Sequence, residues 1–189
     1  MNGSMSSLSL GQIQQIETEH QLGLYAKRDI ALVRGEGSYL FDTDGKRYLD
    51  AMSNYGVAVL GHADAEYAEA MANQLRTLTT CHQSFFNDQR AEALAAVEAI
   101  LPENLTRVFF SNSGAEAVEA ALKFAMAATG RHKIVAAKRG YHGRTLGALS
   151  ATFDPKYRGP FEPLPIPAVH GGFNDIDALT QSVDGETAA

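Results

Sequence analysis

Thiol chemistry is almost absent: Cys81 is the only cysteine, so no internal disulfide framework can form. No apolar run is long enough for a signal h-region or a membrane span, which makes the cytoplasm the default location. Long blocks of like charge are missing too. The 16 Lys and Arg stand against 22 Asp and Glu, a formal net charge of -6, with no electrostatic reason to expect nucleic acid or an anionic membrane as partner. Small solutes fit better. What is present is ordinary: 45% hydrophobic and 20% charged residues over 189 positions, enough for one substantial core and too apolar for a disordered chain. The opening MNGSMSSLSLG is rich in Ser and Gly and reads as a frayed, disordered leader over residues 1–12.

Residues 13–64 read as an amino-terminal segment. Ile13 to Glu19 is mildly helical, and IALVRGEGSYLFDTDGKRYLDAM then alternates apolar residues around Gly35-Glu36-Gly37 and Asp44-Gly45, a β-meander or hairpin. From residue 65 the pattern becomes that of an α/β domain. ADAEYAEAMANQLRTLTT places Ala68, Met71, Ala72 and Leu75 on one helical face with Asp64 as N-cap; NDQRAEALAAVEAIL repeats the theme until Pro102 stops it. RVFFS reads as a strand, 114–129 as a helix ending at Gly130, KIVAAK as a second strand, and GRTLGALSAT as the start of a second helix. Strand, helix, strand, helix predicts a parallel sheet with crossover helices. Five of the six prolines lie from Pro155 to Pro167, too dense for regular helix or a central strand, and predict an extended surface excursion. NDIDALTQSV is a short helix capped by Asn174 or Asp175, and DGETAA is an acidic turn with no further element. Another strand is expected next, so the sequence reads as cut off in mid-fold, with an apolar sheet edge exposed.

Two strand-to-helix junctions carry the chemistry. At Ser111-Asn112-Ser113-Gly114 the helix starts directly after the apolar run, so unpaired amides and the positive end of the helix dipole face the space above the strand. One reading makes this an anion site, with the Gly114 and Ala115 amides and the Ser113 hydroxyl around a phosphate. The other makes Ser113 a helix cap only, with Glu116 completing a capping box. The pattern is neither GxxxxGK[ST] nor GxGxxG, which disfavours nucleotide-type motifs. At the second junction Gly140-Tyr141-His142-Gly143-Arg144-Thr145 repeats the arrangement. Tyr141 is either a core tyrosine or a platform for a planar cofactor, and Arg144 either a surface cation or a two-point grip on a carboxylate. Two anion-competent junctions side by side fit the rule that ligands gather at the carboxyl ends of parallel strands.

SNSGAEAVEAALKFA followed by GYHGRTLGALSAT resembles the class III aminotransferases, and the resemblance runs from about Gly35 to the end through GEGSYLFDTDGKRYLDAMSNYGVAVLGH and DPKYRGPFEPL. The acetylornithine/ornithine branch is the most similar, with its lysine-biosynthetic members that use a carrier-protein-bound aminoadipate semialdehyde. The resemblance implies an incomplete α/β fold-type I PLP-transferase: a small amino-terminal α+β segment, then the start of the large parallel-sheet domain. It implies pyridoxal 5'-phosphate as cofactor, no metal, and a cytoplasmic homodimer of arginine or lysine biosynthesis that moves an amino group between an ω-amino acid and 2-oxoglutarate. Carried over by position, Ser113, Gly114 and Ala115 match the phosphate loop, where many relatives have Thr at the position of Ala115. Tyr141 matches the aromatic that stacks on the pyridine ring, and His142 follows it. Arg144 matches the arginine that holds the substrate α-carboxylate, Tyr25 a tyrosine that helps it, and Tyr55 a pocket tyrosine. TCHQSFFN, with Cys81 and His82, matches a segment reaching toward the partner subunit; His62 and His82 read as loop or interface histidines rather than catalytic ones.

The same resemblance implies a Schiff-base lysine, and none of the six lysines (Lys27, Lys46, Lys123, Lys133, Lys138 and Lys156) occupies that position. No catalytic residue is therefore expected in these 189 residues, which on this reading do not transaminate alone. The alternative is a non-catalytic module that binds a phosphorylated ligand or a partner chain. An unrelated doubly wound phosphate-binding domain is disfavoured by the length of the matching motifs.

Overall fold

The computed structural model describes residues 8–189, which form two compact units, the first ending at Asn87 and the second running Asp88–Ala189. That division lies beyond the boundary expected at residue 64, because the helix after Asp64 belongs with the meander unit.

The first unit opens with α1 (Leu10–His20), whose N-cap Ser9 and Gln12 form a reciprocal capping box. An ordered helix thus starts inside the expected leader, whose residues 1–7 lie outside the described ones. The meander follows as β1 (Leu32–Glu36), β2 (Tyr39–Asp42) and β3 (Arg47–Leu49), antiparallel in sequence order. The second turn closes because the Asp42 carboxylate accepts the amides of Asp44 and Lys46, both at 2.9 Å, and the Tyr48 hydroxyl at 2.7 Å. The Tyr48 hydrogen bond, ahead of the opposing effect of burial, holds the Asp42 carboxyl below its ordinary range. Asp50 then accepts the Ser53 amide at 2.8 Å and meets His62 Nε2 at 2.7 Å, so His62 serves a structural hydrogen bond. Between them lies the single turn α2 (Ser53–Gly56), in which Ser53, Asn54 and Tyr55 are all left-handed, at φ 49°, 49° and 59°. Asp64 caps α3 (Ala65–Thr77) by accepting the Tyr67 amide at 2.8 Å, as the sequence pattern predicts.

The second unit contains α4 (Asp88–Glu98), α5 (Gly114–Thr129), β4 (Ile134–Ala137), α6 (Leu146–Ala151), α7 (Pro155–Arg158), a 3-10 turn (Gly159–Phe161), β5 (Ala168–Gly171) and α8 (Ile176–Ser182). α5 has the predicted bounds because both its signals are local: Ser113 caps it and Gly130 ends it at φ 68°. At α8 the cap is Asp175, which accepts the Ala178 amide at 3.0 Å. β4 and β5 pair in parallel, Ile134 opposite Ala168 and Ala137 opposite Gly171. Leu122, Ile134, Ala136 and Ala151 form the core, with Val118, Ile166 and Ala168 packed against it. α6 is built of small residues and is buried from Gly147 to Ala151.

Three sequence expectations are corrected. RVFFS forms no strand: a strand needs a neighbouring backbone, none pairs with it among the described residues, and Phe109 and Phe110 stay exposed. The proline-rich stretch is not simply extended, because Asp154 caps a one-turn helix with Pro155 at its first position, where a missing amide costs nothing. DGETAA does more than turn: Ala188 donates to the Lys133 carbonyl at 2.7 Å and Val135 to the Ala189 carbonyl at 2.8 Å, a third parallel lane beside β4.

Candidate functional site

At the start of α5, Ser113 has extended backbone angles (φ -152°, ψ 160°) and its Oγ accepts the Glu116 amide at 3.2 Å. The Glu116 carboxylate turns back to accept the Asn112 amide at 2.9 Å and the Ser113 hydroxyl at 3.1 Å. The cap therefore leaves the Gly114 and Ala115 amides unused: neither donates to any group among the described residues. A Cβ built on Gly114 meets nothing within 4 Å, so the approach to these amides is open. The two sequence readings of this junction are compatible at the amides, which capping leaves free, while the Ser113 hydroxyl is already engaged with Glu116.

At the second junction β4 ends at Ala137 and the chain turns through Gly140, whose amide donates to the Ala137 carbonyl at 3.0 Å. Tyr141 is 55% exposed and meets Tyr157 edge to face at 5.6 Å, which steadies the ring while leaving surface for stacking. His142 donates its amide to Thr152 Oγ1 at 3.0 Å, and the Thr152 hydroxyl reaches the Gly143 carbonyl at 3.2 Å. Arg144 lies exposed on the loop.

Gly143 joins the two junctions. Its φ is +141°, and a Cβ there would stand 2.7 Å from Ala115 Cβ and 3.0 Å from Ala148 Cβ. The backbone of the Tyr141–Arg144 loop thus rests directly on the first turn of α5. The amides at the start of α6 differ from those of α5, since Gly147 and Ala148 both donate to Glu119 Oε1, at 2.9 and 3.0 Å. The α6 amides are thus taken by a carboxylate of the chain, which leaves Arg144 as the anion-competent group expected at the second junction. Burial pushes the Glu119 carboxyl up, but the hydrogen bonds from Thr145, Ala148 and Gly147 and the charge of Lys123 outweigh it and hold the group below the usual range.

Residues 24–187 match the aminotransferase class-III family model. The chain belongs to that family. Its class-III relatives include a [LysW]-aminoadipate semialdehyde transaminase of Deinococcus radiodurans, 43% identical over 92% of this chain and 41% of that protein. An acetylornithine aminotransferase of Methanopyrus kandleri is 38% identical over 93% of this chain and 45% of the relative. The crystal structure of an adenosylmethionine-8-amino-7-oxononanoate aminotransferase from Methanocaldococcus jannaschii superposes with a TM-score of 0.86 at 29% identity, covering 95% of this chain and 46% of that one. The fold is a partial fold-type I transaminase fold, and the chain spans less than half the length of these relatives.

Within this class-III chain the structure brings Ser113, Gly114 and Ala115 together with Tyr141, His142 and Arg144 in the second unit. Tyr25 and Tyr55 lie in the first unit, 63% and 88% exposed, Tyr55 within the left-handed turn. A cleft of about 1080 Å³ opens in the first unit between α1 and the meander, and neither tyrosine lines it. Sequence reasoning missed Glu119, Thr152 and Tyr157. Glu119 sits on the same helix as the recognised motif, but its partners lie 28 and 29 residues away and leave no local signal.

His170 on β5 backs this region from below. Its Nε2 meets the Ala151 carbonyl at 3.2 Å and so carries the proton, while Nδ1 accepts from Arg158 at 3.3 Å. Burial first, then the charges of Arg158 and His142, pushes its pKa below the ordinary 6.5, against the raising effect of the Ala151 and Thr152 backbone. The unfolded chain therefore takes up this proton first. The stabilising effect of the neutral imidazole is complete above the unfolded value and declines as pH falls below it. Urea midpoints are expected to drop as pH falls below the ordinary 6.5 of an unfolded histidine, and His170→Gln to flatten that slope; a parallel slope in the variant would show that other groups cause it.

Proposed function

We propose that the two joined loops bind pyridoxal 5'-phosphate, the cofactor of the class-III enzymes, and serve a transaminase acting on an ω-amino acid. The contact of Gly143 with Ala115 carries this reading, because it joins the loop that bears the exposed Tyr141 to the first turn of α5, whose Gly114 and Ala115 amides have no partner among the described residues. The donor set suits the group: the Gly114 and Ala115 amides take a phosphate dianion at the positive end of a 16-residue helix, with the Ser113 hydroxyl beside them. Tyr141 covers the ring, His142 lies next to it, and Arg144 grips a substrate carboxylate two-fold. A carboxylate held there leaves the far amine of the substrate to react, so distance sets the regiochemistry. When bound, pyridoxal phosphate supplies the electron sink of the chemistry.

The substrates we propose are acetylornithine or a carrier-bound lysine precursor, with 2-oxoglutarate as acceptor, in a cytoplasmic homodimer. Tyr25 and Tyr55 keep the substrate-side roles that the family resemblance implies. None of the six lysines stands at the family's anchoring position, so the 189 residues by themselves are proposed to bind cofactor without turnover.

Thermal unfolding of the chain with pyridoxal phosphate tests the reading. At about one hundred times Kd the linkage gain of about 2.7 kcal/mol corresponds to a rise in Tm of about 5–10 °C. Pyridoxal, which lacks the phosphate, is expected to give little shift. Equal shifts with both compounds, or none with either, would remove the phosphate cradle from the proposal.

A further inference from the structure

We propose that Glu119 is a positioning residue of this site: rooted on α5, its carboxylate closes the amide end of α6 and so locks the Tyr141–Arg144 loop against the Gly114–Ala115 amides. The inference rests on the pyridoxal-phosphate reading and deepens it. Oε1 alone accepts both Gly147 and Ala148, at 2.9 and 3.0 Å. Gly147 is where the carboxylate fits, since a Cβ there would lie 2.3 Å from Glu119 Oε2. α6 is buried from Gly147 to Ala151, so it cannot slide to find other partners, and Thr145, its N-cap, directly follows Arg144. Two consequences follow for ligand binding. The loop that carries Tyr141, His142 and Arg144 is fixed at both ends, by β4 before it and by Glu119 after it. The internal carboxylate also neutralises the amides of α6, so that an anion is directed to α5, whose amides remain free.

The role separates from mere stability through the conservative variant. Glu119→Gln keeps an Oε1 that accepts both amides, whereas Glu119→Ala leaves them open. In the 189-residue chain, hydrogen exchange at the Gly147 and Ala148 amides is expected to quicken in Glu119→Ala and to stay near wild type in Glu119→Gln. Pyridoxal-phosphate affinity, titrated by fluorescence well below the melting transition, is expected to fall about tenfold in Glu119→Ala and less than about threefold in Glu119→Gln.

Gly147→Ala supplies a second route, because its methyl displaces the carboxylate while the charge remains. Combined with Glu119→Ala it is expected to cost no more than either change alone, since both remove the same contact. If Glu119→Ala does not fold, Gly147→Ala and Glu119→Gln carry the comparison. Unchanged exchange in Glu119→Ala, or in Gly147→Ala where that variant stands in for it, overturns the proposal; so do equal losses in the Gln and Ala variants and additive losses in the double variant. A wild-type chain that does not bind pyridoxal phosphate, while exchange still responds to Glu119, overturns the cofactor reading and with it the site role of Glu119.

Discussion

Gly143→Ala is expected to destabilise the second unit by about 2–5 kcal/mol and to abolish cofactor binding, with the urea midpoint and a pyridoxal-phosphate titration as the two readouts. Two costs add. The residue sits at φ +141°, a region that residues with a Cβ rarely adopt. The new methyl would also press on Ala115 Cβ at 2.7 Å, Ala115 Cα at 3.1 Å and Ala148 Cβ at 3.0 Å. Ala115 is in the first turn of a 16-residue helix and Ala148 is fully buried, so neither can give way without moving the helix that carries it. Against a typical stability of about 5–15 kcal/mol, a loss of this size leaves little margin. Ala115→Gly in the same chain should recover the part due to the Ala115 Cβ contact and leave the parts due to φ, Ala115 Cα and Ala148. A Gly143→Ala chain with wild-type midpoint and affinity would mean that the two junctions do not touch as described.

Thr152→Val is expected to cost about 1–3 kcal/mol although it preserves shape. Thr152 is fully buried, its Oγ1 accepts the His142 amide at 3.0 Å, and its hydroxyl reaches the carbonyls of Gly143 at 3.2 Å and Ala148 at 3.3 Å. Valine leaves the part-buried His142 amide without its partner, and an unmade hydrogen bond costs more than a made one contributes. Thr152→Ser retains the hydroxyl and loses only a methyl, which sets its cost at about 1 kcal/mol. The order Val worse than Ser, with faster exchange at the His142 amide in Val alone, is the outcome that identifies the hydroxyl as the brace. The reverse order would make packing, not hydrogen bonding, the contribution of this side chain.

Both positions show where sequence reading succeeds and where it stops. Features that close within a few residues were legible: Ser113 and Gly130 bound α5, Asp64 caps α3, and Asp44-Gly45 turns the meander, each through hydrogen bonds or φ values set by neighbours in the chain. Family membership was legible as well, because the two junction motifs keep their residue types and spacing. RVFFS was misread because a short apolar run describes what a strand buries and says nothing about which backbone lies beside it. β5 escaped notice because four residues after a proline-rich run carry too short a pattern, and pairing with β4 defines them.

The sequence by itself determined the bounds of α5, the cap of α3, the turn chemistry, the family, and the residue types offered to a phosphate and a planar ring. Only the tertiary structure decided which donors stay free. The cap at Ser113 spares the Gly114 and Ala115 amides, while Glu119 reaches across 28 residues to take those of α6. Gly143 packs on Ala115 for the same kind of reason, a contact between segments whose separation along the chain gives no periodic or local signal. Local hydrogen bonds can be read from neighbouring letters, whereas the satisfaction of a distant amide depends on which side chain the packed core delivers to it.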